Sequence, residues 1–375
     1  MKKILTLTLA CTMVMGLFLS GCAMKDEPSS SGTGTSNSGS SGQREVVVCG
    51  WGENIDEDLF ELFEEKTGIK VIYQTAESNE MMYSKVAMGG SGYDVVVPSD
   101  YMIAQMAEEG LLAELDFDNI PNFSLIADRF KNLPYDPENL YSVPYTWGTL
   151  GIIYNPTMID KKIDSWEALF DMQYEGMTAM IGNPRDALAT ALMYLGYSIN
   201  TTDEAQIREA YDLIAVSKAA GVYQGFFMDE IYDKMEVGET ALCTYYAGDY
   251  LSMYMNNPDL KYVIPKEGSN WFVDAMVVLK DAKHKTEAEE WINFICSTEA
   301  SLRNMDFIWY ASPNQEALEQ YPAYYEEQTG EKLPDEVYQV MAAPQEVLDQ
   351  CEMYLNLPAE TRTLYNDLWT QMGVE

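Results

Sequence analysis

Trp51, Glu53, Ser99 and Tyr101 are an indole, a carboxylate, a hydroxyl and a phenol, a set that suits a cation with an apolar body. The acid answers the charge. The flat rings bury methylenes and attract the cation, at about 0.5–2 kcal/mol per contact. Three β-rich runs, Val46–Cys49, Ile69–Tyr73 and Asp94–Val97, alternate with two helical runs in the βαβαβ rhythm of a parallel sheet. The first and third strands end in Trp51-Gly52-Glu53-Asn54 and Ser99-Asp100-Tyr101. In open α/β sheets, ligands sit beyond the carboxyl ends of the strands, so the four side chains are brought to one place. Farther along, Asp274 interrupts the apolar run Trp271-Phe272-Val273-Asp274-Ala275-Met276-Val277-Val278-Leu279. A carboxylate there is costly unless paired, and it reads as a partner for a bound cation.

The elements that must position these groups are partly legible. Leu59, Leu62 and Phe63, stopped by Gly68, mark a helix after the first strand. Thr201-x-x-Glu204 and Thr286-x-x-Glu289 read as capping boxes opening two amphipathic helices, the second carrying Trp291 as core. Ser99 is placed to cap a helix starting at Asp100. Strand-like runs recur at Leu150–Tyr154, Met177–Ile181, Thr240–Thr244, Tyr262–Ile264 and Phe272–Leu279. Strands separated by helices throughout predict an α/β protein with enough strands for two sheets.

The N-terminus predicts export. Lys2 and Lys3 precede an apolar run from Ile4 to Leu19, and Leu19-Ser20-Gly21-Cys22 matches a lipobox. Residues 1–21 are thus expected to be a signal peptide and Cys22 the lipidated residue, anchoring the protein on the extracytoplasmic face of the cell membrane. Residues 22–44 include Ser29–Gly42, almost wholly Ser, Gly, Thr and Asn, which reads as a flexible tether.

Composition narrows the function. With 60 acidic against 23 basic residues the net charge is −37, which argues against nucleic acid as a partner and favours cationic ligands. The single histidine, His284, lies in Lys283-His284-Lys285 and is expected to be solvated, which removes histidine-based triads and zinc sites. No metal or cofactor is expected, and Asp116-x-Asp118 lacks the rest of a calcium loop. Cys49, Cys243, Cys296 and Cys351 are widely spaced and read as small buried hydrophobes. A carboxylate-dependent glycoside hydrolase is the alternative from another class, since two acids suffice for that reaction.

From Val46 to the C-terminus the chain resembles the spermidine/putrescine-binding proteins, the solute receptors of polyamine ABC importers. The resemblance rests on Gly50-Trp51-Gly52-Glu53-Asn54, Tyr93-Asp94-Val95-Val96-Val97-Pro98-Ser99-Asp100-Tyr101, Val143-Pro144-Tyr145-Thr146-Trp147-Gly148, Pro265-Lys266-Glu267-Gly268 and Ser312-Pro313-Asn314. It implies a two-lobed, type II periplasmic-binding-protein-like fold that closes by hinge motion on a ligand between its lobes. Residues 45–148 plus 273–309 would form one lobe, and 149–272 plus 310–375 the other. The resemblance further implies a monomer that delivers its ligand to an ABC permease and catalyses nothing. Carried over residue by residue, it adds Asn183, Asp186, Tyr246, Phe272 and Tyr310 to Trp51, Glu53, Ser99, Tyr101 and Asp274, with Trp271 as an alternative to Phe272. Gly52, Asn54, Asn183 and Leu355 depart from the family's usual residues. A receptor of the same fold for a sugar or a metal ion is the nearest competing reading.

Overall fold

The computed structural model describes residues 43–52 and 54–374. The expected signal peptide, Cys22 with its lipid, the tether up to residue 42, and Glu53 lie outside the described residues.

Strand β1 (Arg44–Gly50) pairs in parallel with β2 (Ile69–Thr75) and β3 (Val95–Val96). Helix α1 (Asp58–Thr67) makes the first crossover, buries Leu59 and Phe63, and ends on Gly68 at φ 72°, a left-handed turn that favours glycine. Helix α2 (Asn79–Ala87) makes the second, and α3 (Asp100–Glu108) leaves the end of β3. The rest of the sheet is β4 (Ser142–Tyr154), β5 (Thr178–Ile181), β6 (Tyr223–Phe227), β7 (Leu242–Tyr246), β8 (Lys261–Val263), β9 (Ser269–Val278) and β10 (Cys351–Glu352). Between these strands run α4 (Pro184–Tyr194), α5 (Glu204–Ala219), α6 (Glu230–Glu236) and α7 (Ala247–Asn256). After β9 come α8 (Lys285–Ile295) and α9 (Thr298–Ile308).

The strand order is β2-β1-β3-β9-β4-β7-β5-β6, with β8 on β4 and β10 on β9. This is one continuous path where the sequence suggests two separate sheets. The reason is length: β4 has 13 residues and β9 has 10, and the two run antiparallel from one half of the molecule into the other. The runs read from the sequence as starting at Leu150 and Phe272 are the second parts of these longer strands. The architecture is the expected two-lobed α/β fold, and the described residues pack as one contact-continuous unit because the halves share strands.

Several local expectations are corrected. Helix α5 is capped by Asp203, whose carboxylate accepts from the Ala205 N–H at 2.8 Å. Thr201 instead donates to Gln206 Oε1 at 2.6 Å. The second capping box also fails. Helix α8 starts one residue after His284, and Glu289 is buried, accepting from Lys285, the Asp116 N–H and Asn119. His284 is not a free solvated side chain, because its Nδ1 pairs with Asp94 Oδ2 at 2.9 Å. Strand β6 escapes the sequence reading because Tyr-Gln-Gly-Phe-Phe has no alternation and a glycine at its centre. Cys49, Cys243 and Cys296 are free and buried; Cys351 is free and half-buried.

Candidate functional site

A cleft of about 620 Å³ opens beyond the ends of β1, β3 and β7 and along β9. Its lining includes Trp51, Ser99, Tyr101, Asn183, Asp186, Tyr246, Phe272, Asp274 and Tyr310, nine of the ten expected site residues; Glu53 lies outside the described residues. Trp271 is not among the lining residues.

Asp274 lies mid-strand on β9 and is 6% exposed. Its Oδ2 accepts from the Trp51 indole N–H at 3.1 Å, while Oδ1 is buried without a partner. Burial lifts its pKa to about 7; Ser99 and Trp51 hold it down in part, and the Asp249 charge lifts it further. Ser99 does not cap α3 through its side chain. Its hydroxyl accepts instead from the Asn79 amide at 3.1 Å, and Asn79 Oδ1 accepts from the Ser99 N–H at 3.0 Å, which locks the end of β3 to α2. The half-buried Trp51 is anchored through its backbone carbonyl, which accepts from Tyr73 at 2.9 Å.

At the other side, α4 presents Asp186 from its first turn. The Tyr246 phenol donates to Oδ2 at 2.6 Å and the Tyr354 phenol to Oδ1 at 2.9 Å. Burial raises the Asp186 pKa to about 6 against these two donors and the neighbouring Arg185. Asn183 is the cap of α4: its Oδ1 accepts from the Arg185 N–H at 2.9 Å and the Asp186 N–H at 3.4 Å. With the oxygen so engaged, the atoms left to the cleft are amide donors. Tyr101 is buried, donates to Glu80 at 3.0 Å, and meets Tyr354 edge-on at 6.0 Å between centroids.

The floor is aromatic. Phe272 lies 5.4 Å from the Tyr246 ring and 6.3 Å from the Tyr310 ring. Tyr310 fits because the neighbouring position on α7 is Gly248, where a Cβ would come within 2.3 Å of the ring. Flat, tilted rings flanked by carboxylates are what an alkyl chain with terminal ammonium groups requires.

The sequence reading missed three parts of the cleft. Asp249, half-buried in the first turn of α7, accepts from the Tyr310 phenol at 2.7 Å and from the Tyr232 phenol. Burial lifts its pKa to about 6. Its signal was weak, because an acid just after a strand is the ordinary dress of a helix start. Tyr354 comes from the C-terminal segment beside Leu355, and no local pattern in the sequence marks it for the cleft. Arg185 is a resident cation: its guanidinium lies 4.6 Å from the Tyr354 ring and donates to Asn200 at 3.1 Å and the Leu355 carbonyl at 3.2 Å. Leu355, placed near an expected glutamine, is not a lining residue; its carbonyl holds Arg185 and its side chain is exposed.

A more open depression of about 850 Å³ lies on the other side of Trp51. Two of its acids are paired, since Arg303 reaches Asp56 at 3.2 Å and Asp58 at 3.6 Å. Among the described residues, no group of His, Cys, Asp and Glu is arranged to hold a metal ion, and no helix is long and apolar enough to cross a membrane.

A two-lobed α/β fold with a cleft of acids and aromatic rings is the architecture of a solute receptor. Residues 58–329 match the family described as bacterial extracellular solute-binding protein. Over 266 residues the chain is 35% identical to the spermidine/putrescine-binding periplasmic protein of Escherichia coli K12, covering 70% of this chain and 76% of that protein. A solved structure assigned to a spermidine/putrescine ABC transporter of Listeria monocytogenes shares 37% identity with a TM-score of 0.81, covering 88% of this chain and 99% of that one. The corresponding substrate-binding protein of Streptococcus pneumoniae, solved with calcium and HEPES, shares 34% identity with a TM-score of 0.74, covering 88% and 98%. The chain belongs to the bacterial extracellular solute-binding proteins and, within them, is similar to the spermidine/putrescine-binding proteins.

Proposed function

We propose that this cleft captures putrescine or spermidine outside the cytoplasm and that the loaded protein delivers it to an ABC permease. The observation that carries this reading is the set of three acids, Asp186, Asp249 and Asp274, around the Tyr246–Phe272–Tyr310 wall. Ammonium groups replace or join the phenol and indole donors at the acids, and methylenes lie on the rings. Glu53, two residues after Trp51 in the sequence, is proposed as a further acid. The lobes are residues 45–148 with 273–309 and 149–272 with 310–375; they meet near the pairing of Gly148 with Phe272 and of Thr149 with Trp271. Cys22 carries the lipid that tethers the protein, a monomer, to the extracytoplasmic face of the membrane. Calorimetric titration with both polyamines, beside turnover assays on glycans, tests the reading. Micromolar or tighter polyamine binding is expected; glycan turnover, or binding of a sugar in place of polyamines, overturns it.

The raised acids fix the pH dependence. In the empty cleft Asp274 titrates near 7 and Asp186 and Asp249 near 6, whereas a bound cation favours their ionised forms. Protons therefore compete with the ligand below pH 7. Affinity is expected to be level above about pH 8 and to fall by up to tenfold per pH unit for each proton that must leave. The window lies above the ordinary carboxylate range near 4. Affinity unchanged between pH 8 and 5 would contradict it. The empty fold responds in the opposite sense. An acid whose folded pKa is raised stabilises the fold where it is protonated, and that contribution is lost as pH rises through the folded value.

Asn183 bears on selectivity. Its carbonyl is held by the α4 N-terminus, so it offers the cleft donors, which repel an ammonium. An aspartate could cap with one oxygen and turn the other to the ligand. Asn183→Asp is expected to raise spermidine affinity relative to putrescine about fivefold, roughly 1 kcal/mol. Competition binding with both ligands checks this, and an unchanged ratio would place Asn183 outside the ligand's reach.

A further inference from the structure

Asp100 does not line the cleft, yet it is buried at 0% exposure immediately behind it in sequence and sheet. It follows Ser99, and Ser99 bridges to Asp274 across the strand ends. Each of the two carboxyls has one oxygen with a donor and one without. Asp100 Oδ1 accepts from the Tyr101 N–H at 2.7 Å and Asp274 Oδ2 from the Trp51 indole, whereas Asp100 Oδ2 and Asp274 Oδ1 are buried and unpartnered. Thr146, which faces Asp274 directly in the β4–β9 register, and Tyr135 also have orphaned hydroxyls. Buried polar atoms are seldom left unpaired. Two ionised carboxylates offer each other only acceptors, and one proton on the pair converts an orphan oxygen into a donor.

We propose that Asp100 is a positioning residue: it keeps its proton and donates from Oδ2 to Asp274 Oδ1, directly or through one ordered water, so that Asp274 meets the ligand's ammonium as an oriented, ionised acceptor. The ligand part of this inference rests on the polyamine reading of the cleft. The charged groups around the pair favour it. Burial drives the Asp100 pKa well above the ordinary carboxylate value; the Tyr101 N–H opposes this, the Asp274 charge adds to it, and Arg185 and the Val273 N–H oppose it. The N-terminus of α3 favours an anion. That partial charge is a smaller effect than taking a carboxylate out of water, so Asp100 stays neutral. Asp274 itself meets Ser99, Trp51 and the Asp249 charge, and the Tyr135 and Tyr145 phenols near the pair are kept neutral by burial. A buried carboxylic acid held neutral so that it can donate is a known way of stabilising a neighbouring anion.

Infrared spectroscopy of the ligand-free protein at about pH 9, where Asp186, Asp249 and Asp274 are ionised, tests the proton itself. The native protein should show a protonated-carboxyl band that Asp100→Asn lacks. Absence of the band, or its survival in Asp100→Asn, overturns the proposal whatever the ligand proves to be. Putrescine titrations test the consequence. Asp100→Ala removes the donor and should weaken binding about tenfold at pH 7, moving the pH of half-maximal affinity up by about one unit. Asp100→Asn, whose amide still donates, should recover the greater part of both effects. Equal damage from Asn and Ala would mean that an ionised Asp100 contributes charge, and no damage from Ala would mean that it contributes nothing; either overturns the role. A native protein that shows the band but takes no putrescine would sink the polyamine reading and leave the Asp100 proton established.

Discussion

Asp274→Ala should abolish useful polyamine binding while leaving a folded protein. Asp274 is the most strongly perturbed of the lining acids, it has one unpartnered oxygen, and its other oxygen holds the Trp51 wall. Removing one partner of a desolvated charge pair costs about 2–5 kcal/mol, which is roughly 30-fold to several thousand-fold in affinity. The fold should not suffer in proportion. Burial disfavours the ionised Asp274, so at pH 8 its removal relieves an unfavourable group, and the melting temperature is expected to fall by no more than about 4 °C. Calorimetry giving less than a tenfold loss would remove Asp274 from the site. A collapse of the fold would make it structural.

Asp249→Asn is the second large effect, and it concerns a residue that the family resemblance did not supply. The carboxylate sits between the Tyr310 and Tyr232 phenols, so its charge is screened by donors rather than by a cation in the empty cleft. Asparagine keeps the shape and one acceptor but loses the charge. The expected loss is roughly 2 kcal/mol, about 30-fold, for both polyamines, because a charged hydrogen bond is replaced by a neutral one at a partly desolvated carboxylate. Tyr232→Phe serves as the contrast: it removes one competing donor and leaves the charge, so at pH 8 its effect should be less than threefold, below about 0.7 kcal/mol. Equal losses in the two variants would mean that the Asp249–Tyr232 contact orders α7 and does not meet the ligand.

What the sequence displayed and what it hid divide along physical lines. The βαβαβ start was legible because strand composition, helical spacing and Gly68 agree over a short stretch. Trp51 and Asp274 were legible for the opposite reason, since each breaks a local rule: an indole between two glycines, and a carboxylate inside an apolar strand. Asp249 breaks none, and its neighbours Tyr232 and Tyr310 come from distant segments. Tyr354 and Arg185 meet only through tertiary packing. The capping boxes at Thr201 and Thr286 matched a pattern, but Asp203 caps α5, and before α8 the Lys283 and His284 N–H groups donate to Asp94. The continuous sheet was hidden because the polar and glycine-containing Thr146-Trp147-Gly148-Thr149 reads as an interruption of β4, although the strand runs through it.

Native mass spectrometry of the protein, stripped of ligand and then mixed with putrescine or spermidine, tests the central claim most directly. The expected result is a single added mass equal to one polyamine, lost when Asp274 is replaced by alanine. No adduct at millimolar polyamine, or retention of a different small molecule that polyamines do not displace, would contradict the account.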